Sequence, residues 1–599
     1  MGVGEPIIVP DVLRTIALHA PEVAGSLGLV VDVRRDYGAS GSALQTTGTI
    51  AGGSDVLTIA EVGDFQDGQG IAVAGAGAGG ALLVTTIASG GGSTTLVLST
   101  TAAVGVDGAV VSHDDTGAIQ GAATAAIALG PGAVCVVPYG TYRVSRAVAL
   151  NSGLHLRVHG TLFLADGAND SVLVVPQNAS GVHVDLYGVL DGNKAQNTAP
   201  VFGVSGNGNG GIATPFLNNQ GGQNVSGLSV VGYGKGVIQN CYNWGFNGSG
   251  VTDGIVEGVV FASNGNANQW AFGATRCRFV KCRAYGTSDD GFAFYSGVSL
   301  SECVDCYSYD NNPGSGIAVY NDANGPQACY NIAIRGGACY GNSGIGVSVS
   351  SGLPAAVENY NVQVSGVQTS GNDTGNGGGQ GGIIFGTGAR ACVAVGNLSY
   401  SNGNGSNGSY GIGFTGEAQY CKAVGNLCWN NGQGSSVGYG LWADSTAQNC
   451  TMQDNMVWDD QTTMTQVYGI GGLGGSGMVV RDNWLGASLG SPGIGNLNAL
   501  AVGTIIEGNA GPNGYNPYGP LAPHGTQPAV PAASTGVQNA FGFPCEVYVI
   551  GGTAVSVTIT SGGQTSGGLG GGGVYRLQPG DTINLGAYTA APTWEWVGR

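Results

Sequence analysis

The sequence predicts an all-β chain folded as a right-handed parallel β-helix. Three observations carry that prediction: an apolar but Gly-rich composition, an internal repeat of about 29 residues, and columns of like residues when the repeats are aligned. Gly supplies 115 of 599 residues and charged residues only 9 %, while 42 % of the chain is hydrophobic. That is too apolar for a disordered Gly-rich polymer, and no Gly-X-Y period marks a collagen. Short strands of Val, Ile and Thr joined by many tight turns fit the composition.

The repeat is clearest at 391–402, 420–431 and 449–460, which read ACVAVGNLSYSN, YCKAVGNLCWNN and NCTMQDNMVWDD. In register, Cys392, Cys421 and Cys450 form one column, Asn397, Asn426 and Asn455 a second, and Tyr400, Trp429 and Trp458 a third. The Asn column continues, less regularly, to Asn483 and Asn509. The strand that follows starts at Gly382-Ile383, Gly411-Ile412, Gly440-Leu441 and Gly469-Ile470. Earlier starts at Gly291-Phe292, Gly316-Ile317 and Gly344-Ile345, preceded by Tyr285, Tyr309 and Tyr340, extend the pattern. A unit this short cannot bury its own apolar face; stacking each on the next at about 4.8 Å closes a continuous core. The Asn column is then structural, each side chain bonding its neighbours above and below.

Strand alternation assigns the faces. Lys422, aligned with Val393 and Thr451, points to solvent, so the neighbouring Cys column faces the core as small apolar fillers. Continued along the segment, the same alternation turns Leu398, Leu427 and Met456, and then Tyr400, Trp429 and Trp458, inward as an internal aromatic stack. Thirteen Cys is an odd count without paired zinc spacing. The lone C-x-x-C of Cys303 and Cys306, with Cys277 and Cys282 nearby, is a poor metal or redox motif, because alternate strand residues face opposite ways.

With 18 Lys and Arg against 36 Asp and Glu, the formal charge is -18. No basic surface is concentrated for a phosphate backbone, so nucleic acid is not an expected partner. The opening residues lack the parts of a signal peptide, and no run of about 18 apolar residues predicts a membrane span. No cofactor and no metal site is expected.

Three short motifs occur in order: VDVRRDYGASGS (31–42), HDDTGAIQGAATAAIA (113–128) and VCVVPYGTYRVS (134–145), with LDGNKAQN (190–197) after them. They resemble the capped opening of the pectate-lyase-like family of β-helix proteins, common in phage tail spikes and bacterial polysaccharide enzymes. The Ala-rich stretch 121–128 reads as a short helix covering the first rung. The expected domains are an N-terminal segment and start of the cap (1–42), a small inserted β module (43–112), the β-helix (113–515), a Pro-rich linker (516–535) and a C-terminal β-sandwich (536–599). The insert is similar to one seen at this point in phage tail proteins. The C-terminal module is similar to those closing minor tail proteins of phages that infect actinobacteria. The resemblance implies a virion protein, a homotrimer assembled with other phage tail proteins, whose ligand is a host surface polysaccharide.

Outward positions after each Gly-apolar start include Ala293 and Tyr295, Ala318 and Tyr320, Gly346 and Ser348, Gly413 and Thr415, and Trp442 and Asp444. Tyr295, Tyr320 and Trp442 are the candidate sugar-binding rings. Asp289, Asp290, Asp310 and Asp322 lie in adjoining turns and are the candidate catalytic carboxyls, since glycoside hydrolysis needs a pair about 5 to 9.5 Å apart. Glu417 and Asp444 form a second candidate pair. The stretch TSDDGFAFY resembles the D-D of polygalacturonase-type hydrolases, but the G-H-G and R-x-K of that family do not follow. The plain alternative for these Asp is turn formation. Lyase or epimerase chemistry wants a base beside a uronate-neutralising group. His155, His159 and His183 accompany Arg157 on early rungs and read as structural. Three functions stay open: a tail spike that binds and cleaves polysaccharide, a phage adhesin or structural tail protein without catalysis, and a secreted bacterial polysaccharide enzyme.

Overall fold

The computed structural model describes residues 29–198, 210–214, 224–353, 357–375, 381–403, 409–433, 438–486, 494, 503–510, 528–539, 544–552, 556–566 and 573–598. Most of the expected N-terminal segment and most of the Pro-rich linker lie outside them. The chain divides into two compact units, 1–307 and 308–599. Among the described residues no helix is long and apolar enough to cross a membrane.

Each unit is a right-handed parallel β-helix whose rungs contribute one short strand to each of three sheets, here walls one, two and three in chain order. In the first unit a rung runs from His155–Val158 on wall one, through Thr161–Leu164 on wall two, to Leu173–Val174 on wall three. His155–Val158 then pairs in parallel with His183–Leu186 of the next rung. The helix Thr116–Leu129 buries Ile119 together with Ala122, Ala123 and Ala126, whose small side chains allow close approach. Gln45–Ile50, Val56–Ile59, Gly70–Val73, Leu83–Ser89, Thr95–Leu98 and Val106–His113 close an antiparallel barrel around Leu57, Ile71, Val73, Leu96 and Val111.

In the second unit the expected columns stack in register. Val393 pairs with Lys422 and Lys422 with Thr451; Leu398 pairs with Leu427 and Leu427 with Met456. Asn397, Asn426, Asn455, Asn483 and Asn509 form a buried ladder, each Nδ2 donating to the next Oδ1 at 2.8–2.9 Å. A parallel ladder, not read from the sequence, runs Asn311, Asn342, Asn372, Asn402, Asn431 and Gln466 at 2.8–3.1 Å. Such runs satisfy corner carbonyls and amides that would otherwise be buried unpaired. Beyond them, 536–538, 557–561, 564–565 and 582–585 form one antiparallel sheet. A second sheet, 545–550, 573–577 and 593–598, completes the C-terminal part.

The structure corrects two readings of face and register. Tyr400, Trp429 and Trp458 point outward, not inward, and so do Leu398, Leu427 and Met456; the core positions between them are Ser399, Cys428 and Val457, each fully buried. The cause is the corner. Gly396, Gly425 and Asp454 have φ of 62°, 63° and 55°, and the left-handed step turns the following Asn inward, so alternation restarts after it. Asp305, at φ 52°, does the same between Cys303 and Cys306, and both thiols are buried. The second correction concerns Gly344-Ile345. Ile317 pairs with Val347, and Val347 with Ile383, so the equivalent strand starts at Gly346. A slip of two residues preserves the face but moves Ser348 from the level of Tyr320 to that of Ala318.

Candidate functional site

Asp289 and Asp290 belong to the first unit, in the turn before Phe292–Tyr295 on wall three. Thr287 Oγ1 shapes this turn by donating to the carbonyls of Asp289 at 2.6 Å and Asp290 at 3.3 Å. Both residues are half-buried. Burial pushes the Asp289 carboxyl above its ordinary range, against the opposing pull of the Asp290 backbone N–H. A carboxyl raised in this way is suited to donate a proton. Tyr295 faces outward, its ring edge-on to Phe272 at 5.1 Å.

Asp310, Asp322 and Tyr320 belong to the second unit. Asp310 is a corner residue at φ 54°, in the column that holds Gly341 and Gly371 on later rungs. Asp322 Oδ1 accepts from the backbone N–H of Asn324 at 2.8 Å and Gly325 at 3.1 Å, closing its own turn. Tyr320 is half-buried on the outer face of wall three. A Cβ at Gly352 would stand 2.4 Å from the Tyr320 hydroxyl, so glycine there gives the ring its room.

Trp442 lies farther along the same wall in an aromatic nest. It stacks on Tyr410 at 5.2 Å and 5° and meets Tyr439 at 4.4 Å; Tyr439 in turn stacks on Tyr468 at 5.3 Å. The register places Gly413 and Gly471 on either side of Trp442. A Cβ at Gly471 would lie 2.2 Å from Tyr439 Cε1 and 3.3 Å from Trp442 Cε3. Burial, with Asp444 and Asp373 nearby, pushes the Tyr410 hydroxyl up. Asp444 itself is committed to its turn, accepting from Thr446 N and Oγ1, Ala447 N and Gly416 N at 2.7–3.0 Å. Glu417 is the residue after Gly416, at φ 70°. On wall two, Tyr400, Trp429 and Trp458 stack at 4.3 and 5.0 Å. Rings stacked on both faces offer edges, N–H and O–H groups to solvent, a surface suited to hydroxyl-rich ligands.

The sequence reading undervalued one cluster. His155, Arg157, His183 and Asp185 lie on the outer face of wall one, with His155 opposite His183 and Arg157 opposite Asp185. The Asp185 carboxylate accepts from His155 Nε2 at 2.8 Å, His183 Nε2 at 3.0 Å, Arg157 Nη2 at 2.9 Å and Tyr233 Oη at 2.8 Å. Burial alone would raise this carboxyl, but the hydrogen bonds from His155, His183 and Tyr233 overcome it and hold it far below the usual range. Alongside, His159 stacks on Tyr187 at 5.1 Å and Tyr187 on Tyr233 at 4.6 Å. Tyr139, 78 % exposed, ends this column. The signal in the sequence was the H-x-R and H-x-D spacing, which puts each pair on one strand face.

No protein-family model matches the chain. Over 238 residues, 38 % of its length, it is 24 % identical to the pre-neck appendage protein of Bacillus phage phi29. The preneck appendage protein of Bacillus phage PZA matches to the same extent, and the chain spans only 25 % of the length of either relative. Among solved structures it is similar to an N-terminal fragment of phage phi29 gene product 12, with TM-score 0.48 and 16 % identity over 67 % of this chain and 69 % of that one. It is also similar to a mannuronan C-5 epimerase A-module of Azotobacter vinelandii, with TM-score 0.43 and 20 % identity over 66 % and 91 %. The tailspike of E. coli bacteriophage HK620 gives TM-score 0.40 and 15 % identity over 81 % and 88 %.

Proposed function

We propose that this chain is a bacteriophage tail appendage, a tail spike or minor tail protein of the virion, that binds a host surface polysaccharide along its outer walls and cleaves it by glycoside hydrolysis. The observation that carries the reading is the aromatic nest of Tyr410, Tyr439, Trp442 and Tyr468 on an outer face. These rings lie on the outward side of the wall, where their edges and their O–H and N–H groups suit sugar C–H faces and hydroxyls. The local similarity to a phage pre-neck appendage protein supports the virion part of the proposal. In this reading Trp442, Tyr320 and Tyr295 bind sugar. Asp289 is the proton donor, with Asp290 beside it, and Asp310 and Asp322 are the carboxyls of the second unit. Assembly as a homotrimer with other tail proteins belongs to the same proposal.

A second reading, an adhesin without catalysis, is favoured by the turn roles of Asp310 and Asp322. Incubation of the purified chain with host envelope glycans, followed by measurement of new reducing ends, separates the two. Cleavage that disappears in Asp289→Asn and persists in Trp442→Ala at higher KM supports the hydrolase. Binding without products from any host glycan supports the adhesin, and neither binding nor products defeats both.

A further inference from the structure

The His155, His183 and Asp185 cluster has a donor set that glycan binding does not call for. His155 Nε2 and His183 Nε2 converge on one carboxylate, and the candidate ligand atoms of the three residues lie within 4.8 Å of one another. An ion held tetrahedrally by bonds of about 2.0–2.2 Å keeps its ligand atoms about 3.4 Å apart. The N···O separations of 2.8 and 3.0 Å are both shorter than that value, and small outward side-chain movements reach it. The two imidazoles meet edge to face, at 4.6 Å and 83°, so both nitrogens reach the carboxylate without the rings colliding.

Two further features are those of a prepared ligand rather than of a surface ion pair. Asp185 is only 2 % exposed, and Arg157 and Tyr233 fix it through hydrogen bonds of 2.9 and 2.8 Å, the kind of outer support that orients metal-binding carboxylates. The His155 and His183 side chains keep 25 % and 36 % of their surface, so solvent reaches the point of convergence. Two imidazoles and one carboxylate suit a borderline transition-metal ion; calcium and magnesium want oxygen throughout.

We propose that His155, His183 and Asp185 form a binding site for a divalent transition-metal ion of the zinc type, joining two successive rungs of wall one. On binding, each neutral imidazole carries its proton on Nδ1 instead of Nε2 and turns the Nε2 lone pair to the ion, while Asp185 exchanges two N–H donors for the metal. Three protein ligands leave the fourth position to water. Arg157 stays on the carboxylate, and its charge makes the site weaker than one built from thiolates.

The test uses the full chain, freed of metal with a chelator and titrated with Zn2+ and Co2+. Binding of a single ion is expected, with the strong visible Co2+ bands of a four-coordinate site and no thiolate charge-transfer band, since every cysteine is buried. His183→Ala and His155→Gln should abolish binding with unchanged far-UV circular dichroism, and Tyr233→Phe should weaken it about tenfold. No binding, or binding unaltered in both histidine variants, overturns the proposal. Should the variants misfold, Zn2+ protection of His155 and His183 against diethyl pyrocarbonate in the unmutated chain decides: protection supports the site, and equal modification with and without Zn2+ overturns it.

Discussion

The two units solve the same stacking problem in different ways. In the second, rung after rung repeats one solution: hydrogen-bonded side chains of the two amide runs lie 26 to 35 residues apart, and amide meets amide. In the first, polar partners on neighbouring rungs lie anywhere from 22 to 49 residues apart, and unlike groups meet. Gln269 bonds Asn247 there, and a carboxylate gathers two imidazoles, a guanidinium and a phenol. A uniform ladder commits its side chains to one another. An irregular stack leaves chemically different groups side by side, which is the condition for a site.

The largest test of this contrast is Asn426→Leu. It strands the Asn397 N–H and amide donors and should cost about 3 kcal/mol. Hydrogen exchange should rise around 393–485 and stay unchanged on the first unit; loss of protection in both would break the comparison. Asp185→Asn should cost about 2 kcal/mol, because Arg157 loses its counter-charge. The pH dependence has a definite sign. The folded carboxyl is held below its unfolded value of about 3.9, so its stabilisation is full above that pH and lost as pH falls. Exchange near 155–186 should therefore accelerate on acidification before the Asn ladders loosen, and Asp185→Asn should remove the difference. Trp429→Ala, stacked on both faces, should cost about 1.5 kcal/mol in denaturant unfolding, and Trp458→Ala less. The smallest effect tests the corrected face: Leu398→Ser should stay within about 0.5 kcal/mol, whereas Ser399→Leu, at a fully buried position, should be clearly destabilising.

The period and the Asn column were legible because identical residues recur at a fixed spacing, and only in-register stacking makes that spacing useful. The aromatic column was misjudged because no single residue type marks the corner before it. Gly396, Gly425, Asp454, Asp482 and Gly508 all take the left-handed step, and only the backbone reveals it. Asp322 as a turn residue was visible in its setting before Ala-Asn-Gly. The Asp185 cluster was not assembled from sequence. Its members His155 and Tyr233 lie 30 and 48 residues from Asp185 in sequence, and no repeat announces that Tyr233 returns to Asp185.

Those left-handed corners reach beyond the faces they set. Since inside and outside are decided afresh after each one, a loop inserted at an edge leaves the next strand's assignment untouched. The chain can thus gain or shed surface segments between walls without rewriting its interior, so the outline of the outer walls can vary while the core sequence stands still.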